Sequence, residues 1–296
     1  MAKCYICPRN CGADRSCGEL GFCRAPEDYL VSKIMLHGWE EPCISGSRGA
    51  GTIFFSGCNL HCIYCQNSAI SHGGVGNILS DAELEKEIAL LCDKGAECIE
   101  FVTPTHYTER LAKLLEKIKP RLNIPTVWNS SGYEKVESLK MLDGLIDIYL
   151  PDFKYFDSEI AKKYSFAPDY CEVALAAMGE MSRQVGKPQF KENGKLLRGL
   201  IVRHLVLPSH RADSMDILHL LDNEIGHENI LLSLMSQYTP DFYAESGDCR
   251  YKSLCRRVTK FEYDSVMKVA LERGFDGYFQ GMSAASKSFT PNLSEK

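Results

Sequence analysis

The sequence lacks the features that mark membrane, exported and nucleic-acid-binding proteins. Its longest apolar runs, such as LIDIYL at 145–150, are too short to span a bilayer. The first residues, MAKCYICPRN, contain no apolar core of a signal peptide. Acidic residues outnumber basic ones by 39 to 34, so the formal net charge is −5 and no basic excess points to nucleic acid. These absences predict a cytoplasmic protein with no membrane partner and no nucleic-acid partner.

Cysteine, by contrast, is abundant, with 14 in 296 residues. In a reducing compartment, cysteines at this density more often hold metal than form disulfides. The stretch GCNLHCIYCQN places Cys58, Cys62 and Cys65 in a C-x3-C-x2-C pattern. A structural zinc site takes four ligands, and a four-iron cluster usually takes four cysteines. Three cysteines therefore predict a [4Fe–4S] cluster with one iron open to a ligand; the alternative is zinc completed by His61 or His72.

Short apolar runs alternate with amphipathic stretches from Gly51 onward. The predicted strands lie at 51–57, 98–103, 125–130, 145–150, 199–207 and 229–235, with a short last one at 277–281. The predicted helices lie at 81–94, 108–119, 134–142, 157–164, 170–185, 213–223 and 259–273. Strands that alternate with helices predict an α/β fold with a parallel sheet, here a partial (β/α)6 barrel. In such folds the chemistry lies at the carboxyl ends of the strands.

The composition divides the chain into three segments. Residues 1–48 are rich in cysteine and glycine and only weakly periodic, so they are predicted to form a small N-terminal cysteine-rich module. Residues 49–285 carry the barrel pattern, and residues 286–296 look like a polar tail. The polar stretch 186–198 is predicted to be a loop, and 72–77 a flexible linker.

The N-terminal module contains five cysteines within CYICPRNCGADRSCGELGFC. Cys4, Cys7, Cys11 and Cys23 form a possible set of four ligands, which leaves Cys17 spare. A segment with so little apolar periodicity cannot build a core of its own, so the pattern predicts a bound metal. Zinc and a second iron–sulfur cluster both suit four thiolates. The remaining alternative is a reduced surface loop.

The C-x3-C-x2-C motif after the first barrel strand, with Tyr64 just before the last cysteine, resembles the signature of the radical S-adenosylmethionine (SAM) superfamily. The resemblance implies that Cys58, Cys62 and Cys65 hold a [4Fe–4S] cluster whose open iron is chelated by SAM. It implies reductive cleavage of SAM to a 5′-deoxyadenosyl radical, which abstracts a hydrogen atom. It also implies an external one-electron donor such as flavodoxin or ferredoxin.

Two further motifs resemble elements of pyruvate formate-lyase activating enzymes. YLPDFKY carries Asp152 and Lys154, which match a D-x-K element, and VRHLVLPSH carries Arg203 in an IRxxVxPG-like element. In extended chain, side chains two residues apart point the same way. The resemblance implies that Lys154 and Arg203 pair with the carboxylate of SAM and that Asp152 binds a ribose hydroxyl or a cation. The alternative for Asp152 and Lys154 is a salt bridge to each other at the surface. The alternative for Arg203 is an internal acid as its partner.

Other strand ends offer neutral oxygen and amide groups. NSSGY places Asn129 and Ser130 where activating enzymes carry a turn that contacts the cofactor, although the same residues make a good turn. After the second barrel strand many family members carry G-G-E, whereas this chain has VTPTHY. Thr103 and Thr105 are therefore predicted to supply oxygens in place of that contact.

The substrate is the least determined part of the sequence-based interpretation. Gln237 stands where an activating enzyme is expected to carry histidine, and His106 is predicted to be either a substrate-side acid or base or a solvated loop residue. Activation of a glycyl-radical enzyme is the first hypothesis, with a protein or peptide as substrate. Radical modification of another peptide or of a small metabolite is the second. A metal-binding nucleic-acid module is a distant third.

Overall fold

The protein is described here from a computed structural model, which covers residues 3–72, 74–240, 243 and 250–281. The predicted polar tail at 286–296 and the last residues of the predicted barrel segment lie outside this range.

One twisted sheet organises the described residues. Its strands are β1 (Tyr29–His37), β2 (Ala50–Phe55), β3 (Asn77–Leu79), β4 (Ile99–Val102), β5 (Thr126–Ser130), β6 (Ile148–Pro151), β7 (Gln189–Phe190), β8 (Leu196–Leu205), β9 (Ile230–Met235) and β10 (Gly277–Phe279). The strand order is β10-β9-β8-β6-β5-β4-β2-β1-β3, and β7 pairs with β8 off this path. From β2 to β10 every neighbouring pair on the path is parallel.

Helices follow the parallel strands and cover the sheet. They are α1 (Pro42–Ser45), α2 (Ser68–Ser71), α3 (Asp81–Asp93), α4 (Thr108–Ile118), α5 (Val136–Leu139), α6 (Ser158–Ser165), α7 (Tyr170–Val185), α8 (Arg211–Glu224) and α9 (Lys260–Glu272). The predicted α/β class and partial barrel are confirmed, because each predicted strand forms in the predicted order. Among the residues that the structure describes, none of the helices is long and apolar enough to cross a membrane.

Helix starts follow the local signals in the sequence. Ser80 and Glu83 form a reciprocal capping box at the start of α3, as the pattern predicts, and Thr259 with Glu262 forms another at α9. The apolar faces of these helices pack on the parallel strands in one continuous core, which includes Leu84 from α3. The packing leaves the carboxyl ends of the strands free to build a site.

The sheet is wider than the sequence pattern predicts. Strand β1 pairs antiparallel with β2, and β3 pairs antiparallel with β1, although the pattern predicts no strand before Gly51 and a linker at 72–77. Most of β1 is only half-buried, so its sequence lacks the continuous apolar run of a central strand. The predicted loop at 186–198 also contains β7 and the start of β8. The division of the chain at residue 48 stays a prediction, but residues 29–37 share the barrel's sheet.

Candidate functional site

A cavity of about 260 Å³ lies where the parallel strands end. Its wall brings together the three motif cysteines and, apart from Thr105, every barrel residue that the sequence nominates for cofactor binding. These residues are Cys58, Cys62, Tyr64, Cys65, Thr103, Asn129, Ser130, Asp152, Lys154 and Arg203. Gln237 also lines the cavity. The roles of these residues stay predictions, but one shared cavity is what a common role requires.

The cysteine loop follows β2 through Gly57, whose positive φ of 88° suits glycine. Each cysteine sulfur in the loop has a hydrogen-bond donor near it. The pairs are Leu60 N to Cys58 Sγ at 3.4 Å, Ser71 Oγ to Cys65 Sγ at 3.4 Å and Ser165 Oγ to Cys62 Sγ at 2.9 Å. Such donors stabilise negative charge on sulfur, so the loop suits thiolate ligands. Burial raises the pKa of Cys58 to about 12, and metal binding to it therefore releases a proton.

The donor set fits an iron–sulfur cluster better than a single ion. Within the described ranges, no three His, Cys, Asp or Glu side chains are grouped closely enough to hold one metal ion. A four-iron cluster bonds each cysteine to a different iron, so its ligands stand farther apart. His61 stacks on Phe22 with ring centroids 4.8 Å apart, and neither His61 nor His72 is among the residues that line the cavity. The alternative of zinc completed by one of these histidines therefore has no support.

Two cations and one carboxylate form a partly buried network in the cavity wall. Lys154 Nζ lies 2.6 Å from Asp152 Oδ2, and Arg203 Nε lies 2.9 Å from Asp152 Oδ1. Burial raises the pKa of Asp152, but the charges of Arg203 and Lys154 outweigh burial and leave that pKa below its usual value. The three side chains are 17–20% exposed and lie in the cavity wall, whereas the alternative predicts a salt bridge on the open surface. Arg203 does have an internal acid as partner.

Three glutamates, Glu40, Glu41 and Glu100, lie near Arg203 and extend this network, although no sequence motif points to their role. Glu40, in the loop after β1, lies 3.5 Å from Arg203 Nη1. Glu100 on β4 accepts hydrogen bonds from Thr52 Oγ1 at 2.8 Å and Asn129 Nδ2 at 2.7 Å. Burial raises the pKa of both carboxyls, and for Glu40 the nearby Glu100 adds to the shift.

A signal existed for one of the missed glutamates. Glu100 is a charged residue inside the buried run CIEFVT, and such a residue needs partners. Glu40 and Glu41 lie in the predicted N-terminal module, where no local pattern points to them. Both line the cavity, and Glu41 Oε2 is buried without a hydrogen-bond partner among the residues that the structure describes.

The neutral residues of the cavity wall already have protein partners. Asn129 Oδ1 accepts a hydrogen bond from Arg203 Nη2 at 2.5 Å, and Ser130 Oγ donates to Glu134 Oε2 at 2.6 Å. Thr103 adopts a φ of 57°, a left-handed conformation that is strained for a β-branched residue. Many family members carry G-G-E after this strand, and glycine adopts this conformation without strain. The strained backbone at Thr103 therefore lies where this chain departs from the G-G-E pattern.

Thr105 and His106 do not reach the cavity. Thr105 Oγ1 donates to Glu134 at 3.1 Å, and His106 is 2% exposed. Burial, followed by the charge of Arg15, lowers the pKa of His106 to about 3. The prediction that His106 is a substrate-side acid or base, or a solvated loop residue, is therefore wrong: it is a neutral core residue. The nearby positive charge of Arg15 arrives from the N-terminal module, which a local motif does not reveal.

A chain of hydroxyl groups connects the cavity wall to the cluster loop. Tyr64 OH lies 2.6 Å from Tyr155 OH, which in turn lies 2.7 Å from Ser165 Oγ. Ser165 Oγ then donates to Cys62 Sγ. Ser165 ends helix α6, more than one hundred residues from the motif, and was not predicted. Polar groups of this kind tune a bound cluster without being its ligands.

The N-terminal cysteines lie in one folded segment beside this loop. Arg15 Nη2 lies 3.3 Å from Cys4 Sγ and 3.5 Å from Cys23 Sγ. Cys7 and Cys23 are buried, whereas Cys11 and Cys17 are exposed. Cys11, the third cysteine of the predicted set, is thus the most accessible to solvent.

An α/β partial barrel with a three-cysteine loop and a buried ion network at its strand ends defines a class of cluster-dependent enzymes. Residues 52–184 match the family model described as the Radical SAM superfamily. The chain carries a domain of that superfamily, and the predicted resemblance is confirmed. A domain of this superfamily implies a [4Fe–4S] cluster and SAM as cofactors.

The chain is also similar to several known proteins. An uncharacterized protein of Methanocaldococcus jannaschii is 29% identical over 285 residues, which cover 93% of this chain and 76% of the relative. Streptococcus suis SuiB bound to its precursor peptide SuiA has a TM-score of 0.51 at 12% identity, over 81% of this chain and 50% of that chain. SuiB bound to S-adenosylmethionine has a TM-score of 0.50 at 13% identity, and the match covers 78% of this chain and 50% of that chain. A domain of pyruvate-formate lyase-activating enzyme from Bacteroides vulgatus has a TM-score of 0.45 at 12% identity, and the match covers 62% of this chain and 98% of that chain. At these identities the solved structures show the fold alone.

Proposed function

We propose that this protein cleaves SAM reductively and uses the resulting 5′-deoxyadenosyl radical to activate a glycyl-radical enzyme. The observation that carries the proposal is the single cavity, in which the three motif cysteines face the D-x-K pair and Arg203. When bound, the cluster supplies the electron that breaks the bond between sulfur and C5′ of SAM. The remaining steps, which are binding, orientation and exclusion of water, belong to the chain.

Each group in the cavity has a proposed part. Cys58, Cys62 and Cys65 hold the cluster through their sulfurs. Lys154 and Arg203 bind the carboxylate of SAM and share Asp152 as a permanent counter-charge, which keeps both side chains oriented before SAM arrives. This arrangement needs no large movement of either cation.

Neutral side chains complete the proposed cofactor site. Thr103, Asn129 and Ser130 offer oxygens along the strand ends, and Tyr64 closes the wall beside the cluster. The strained backbone at Thr103 holds its side chain at the position where the family carries G-G-E. We propose that these residues orient the adenosyl part of SAM.

A protein or peptide is the proposed substrate. The cavity wall beyond the ion network is built from neutral side chains, among them Gln66, Asn67, Gln237 and Thr239, which suit a peptide backbone better than a charged metabolite. SuiB, which has a similar fold, is seen bound to a precursor peptide. A small metabolite remains the second candidate. The cytoplasmic location and the flavodoxin or ferredoxin donor remain part of the proposal.

Electron paramagnetic resonance tests the activating function. The reconstituted protein is reduced, mixed with SAM and incubated with glycyl-radical enzymes from the same source. A doublet from a glycyl radical supports the proposal. If no partner gives a radical while a peptide or metabolite changes mass as SAM is consumed, the activating function is wrong and radical modification of that molecule replaces it.

We also propose that Cys4, Cys7, Cys11 and Cys23 bind a metal, either zinc or a second iron–sulfur cluster. Support comes from the shared contact of Arg15 with two of the sulfurs and from the burial of Cys7 and Cys23. Metal analysis should find zinc, or iron in excess of one cluster, and joint replacement of Cys4 and Cys7 by serine should remove it. Equal metal contents in the two proteins would contradict the proposal.

A further inference from the structure

The N-terminal cysteine segment is packed directly on the loop that precedes the first motif cysteine. A Cβ atom added at Gly57 would lie 2.4 Å from the carbonyl oxygen of Cys23. Only glycine allows so close an approach of two backbones. Since Gly57 immediately precedes Cys58, the last cysteine of the N-terminal set and the first cysteine of the barrel motif lie on touching stretches of chain.

Side chains also hold the N-terminal segment against the cysteine motif. Arg9 Nε donates to the carbonyl of Asn59 at 2.7 Å and Nη2 donates to the carbonyl of Ser165 at 2.9 Å. The guanidinium of Arg9 also lies 4.0 Å from the centre of the Phe22 ring, which stacks on His61. Asn59 and His61 both lie between motif cysteines. The N-terminal segment is therefore held against the cluster loop itself.

The four cysteines of the N-terminal set converge within this segment. Cys4 and Cys23 share one nitrogen of Arg15 as a hydrogen-bond donor, so their sulfurs are neighbours. The sulfur of Cys11 occupies the space that a side chain at position 21 would fill, because a Cβ on Gly21 would lie 2.4 Å from it. This close approach brings Cys11 next to the stretch that carries Cys23.

Backbone hydrogen bonds tie the first three cysteines of the set together. Cys4 N donates to Ala13 O at 3.0 Å, and Gly12 N donates to Cys4 O at 3.0 Å, which places Cys11 beside Cys4. A turn closed by Asn10 N and the carbonyl of Cys7 at 3.1 Å returns the chain between them. Among the described residues no three His, Cys, Asp or Glu side chains stand close enough to hold one metal ion, so this set of thiolates suits an iron–sulfur cluster better than zinc.

The position of the set favours a redox role. None of its four cysteines is among the residues that line the cavity, so the N-terminal segment reaches the cluster loop from outside the proposed SAM and substrate space. An electron has to reach the barrel cluster from an external donor while SAM occupies the cavity. Zinc at this place has no redox chemistry, whereas an iron–sulfur cluster could carry the electron.

We propose that Cys4, Cys7, Cys11 and Cys23 hold an iron–sulfur cluster that relays single electrons from an external protein donor to the barrel cluster. The donor loses one electron as the N-terminal cluster is reduced; this cluster is then reoxidised as the barrel cluster gains the electron, and no bond or proton changes place. Arg15, which donates to two of the sulfurs, stabilises the reduced and more negative state. The relay rests on the proposed SAM-cleaving function.

Reduction by two donors of different size tests the relay. The full chain, the Cys4→Ser/Cys7→Ser variant and the Cys17→Ser control are reconstituted anaerobically; Cys17 belongs to the same segment but not to the set. The measured quantity is the rate of barrel-cluster reduction by reduced flavodoxin, divided by the rate with Ti(III) citrate, a small reductant. We expect this ratio to fall at least tenfold in the double variant and to stay unchanged in the control.

The result separates failure of the relay from failure of the enzyme. SAM cleavage driven by Ti(III) citrate reports the proposed function, whereas the ratio of the two rates reports the relay. An unchanged ratio, or an N-terminal site in the wild-type protein that contains zinc or no metal, overturns the relay. If the double variant does not fold, a redox titration and electron paramagnetic resonance of the wild-type protein test the relay instead. Two midpoint potentials and magnetic coupling between two reduced clusters support the relay. A single uncoupled cluster refutes it.

Discussion

Arg203 and Asp152 are joined twice, by a side-chain ion pair of 2.9 Å and by a parallel backbone bridge between β8 and the chain that follows β6. The bridge is closed by a hydrogen bond from Phe153 N to Arg203 O at 2.8 Å. The backbone thus fixes the register that lets the two side chains meet. A buried cation is held in place at the cavity wall before any ligand binds.

Removal of either cavity cation should weaken SAM binding. In Arg203→Ala or Lys154→Ala the carboxylate of SAM loses a desolvated positive partner, at a cost of roughly 2–5 kcal/mol in binding free energy. Calorimetric titration of the reconstituted protein with SAM measures this difference. Arg198→Ala is the matched control, because Arg198 lies on the same strand but contacts the carbonyl of Gln184 outside the cavity. Unchanged affinity in both cavity variants would show that the cations serve the fold.

Each motif cysteine should be essential for the barrel cluster. Cys58→Ala, Cys62→Ala and Cys65→Ala remove one thiolate from a set of three, so the reconstituted variants should lose SAM cleavage and the spectroscopic signal of the SAM-bound cluster. Cys92→Ala, a half-buried cysteine on α3, should keep both. Full SAM cleavage in any one of the three motif variants would refute the assignment of the cluster ligands.

Ser165 should raise the reduction potential of the barrel cluster. Its hydroxyl donates to Cys62 Sγ at 2.9 Å and stabilises negative charge that grows when the cluster is reduced. Ser165→Ala is therefore expected to lower the midpoint potential in a redox titration followed by electron paramagnetic resonance. Ser71→Ala provides the comparison, since the contact from Ser71 Oγ to Cys65 Sγ is longer, at 3.4 Å. A shift no larger in Ser165→Ala than in Ser71→Ala would contradict this role.

Glu262 should stabilise the fold in a pH-dependent way. Hydrogen bonds from Arg256, together with backbone donors at Thr259 and Ser209, hold the pKa of this carboxyl below its ordinary value of 4.5. The stabilisation is fully present above that value and is lost as pH falls towards the lowered native pKa, because the unfolded chain takes up the proton first. Glu262→Gln should lower the free energy of unfolding by about 1–3 kcal/mol near neutral pH.

Thermal unfolding across a pH series tests this prediction. The difference in melting temperature between wild type and Glu262→Gln should be largest near neutral pH and should shrink below 4.5, the ordinary pKa of glutamate. Glu272→Gln is the control, because Glu272 is exposed at the end of α9 and pairs only loosely with Lys268 at 3.6 Å. A difference that grows as the pH falls would show that the sign of the linkage is wrong.

The sequence by itself determined the features that depend on neighbours in the chain. The spacing of Cys58, Cys62 and Cys65 predicted the radical SAM resemblance, and the alternation of apolar and amphipathic runs predicted each parallel strand in order. The capping box at Ser80 was readable because its hydrogen bonds span only three residues. Local periodicity and local spacing carry this information without reference to the rest of the fold.

Only the tertiary structure decided which distant groups meet. Arg203 found Asp152 and Glu40 as partners, and His106 entered the core rather than the cavity, because strand register and the docking of the N-terminal segment set those contacts. The packing of Cys23 on Gly57 had no sequence signal either. Such contacts join residues tens to hundreds of positions apart in the sequence. A buried charge needs a partner, and only the packing of the whole chain decides which residue lies close enough to be that partner.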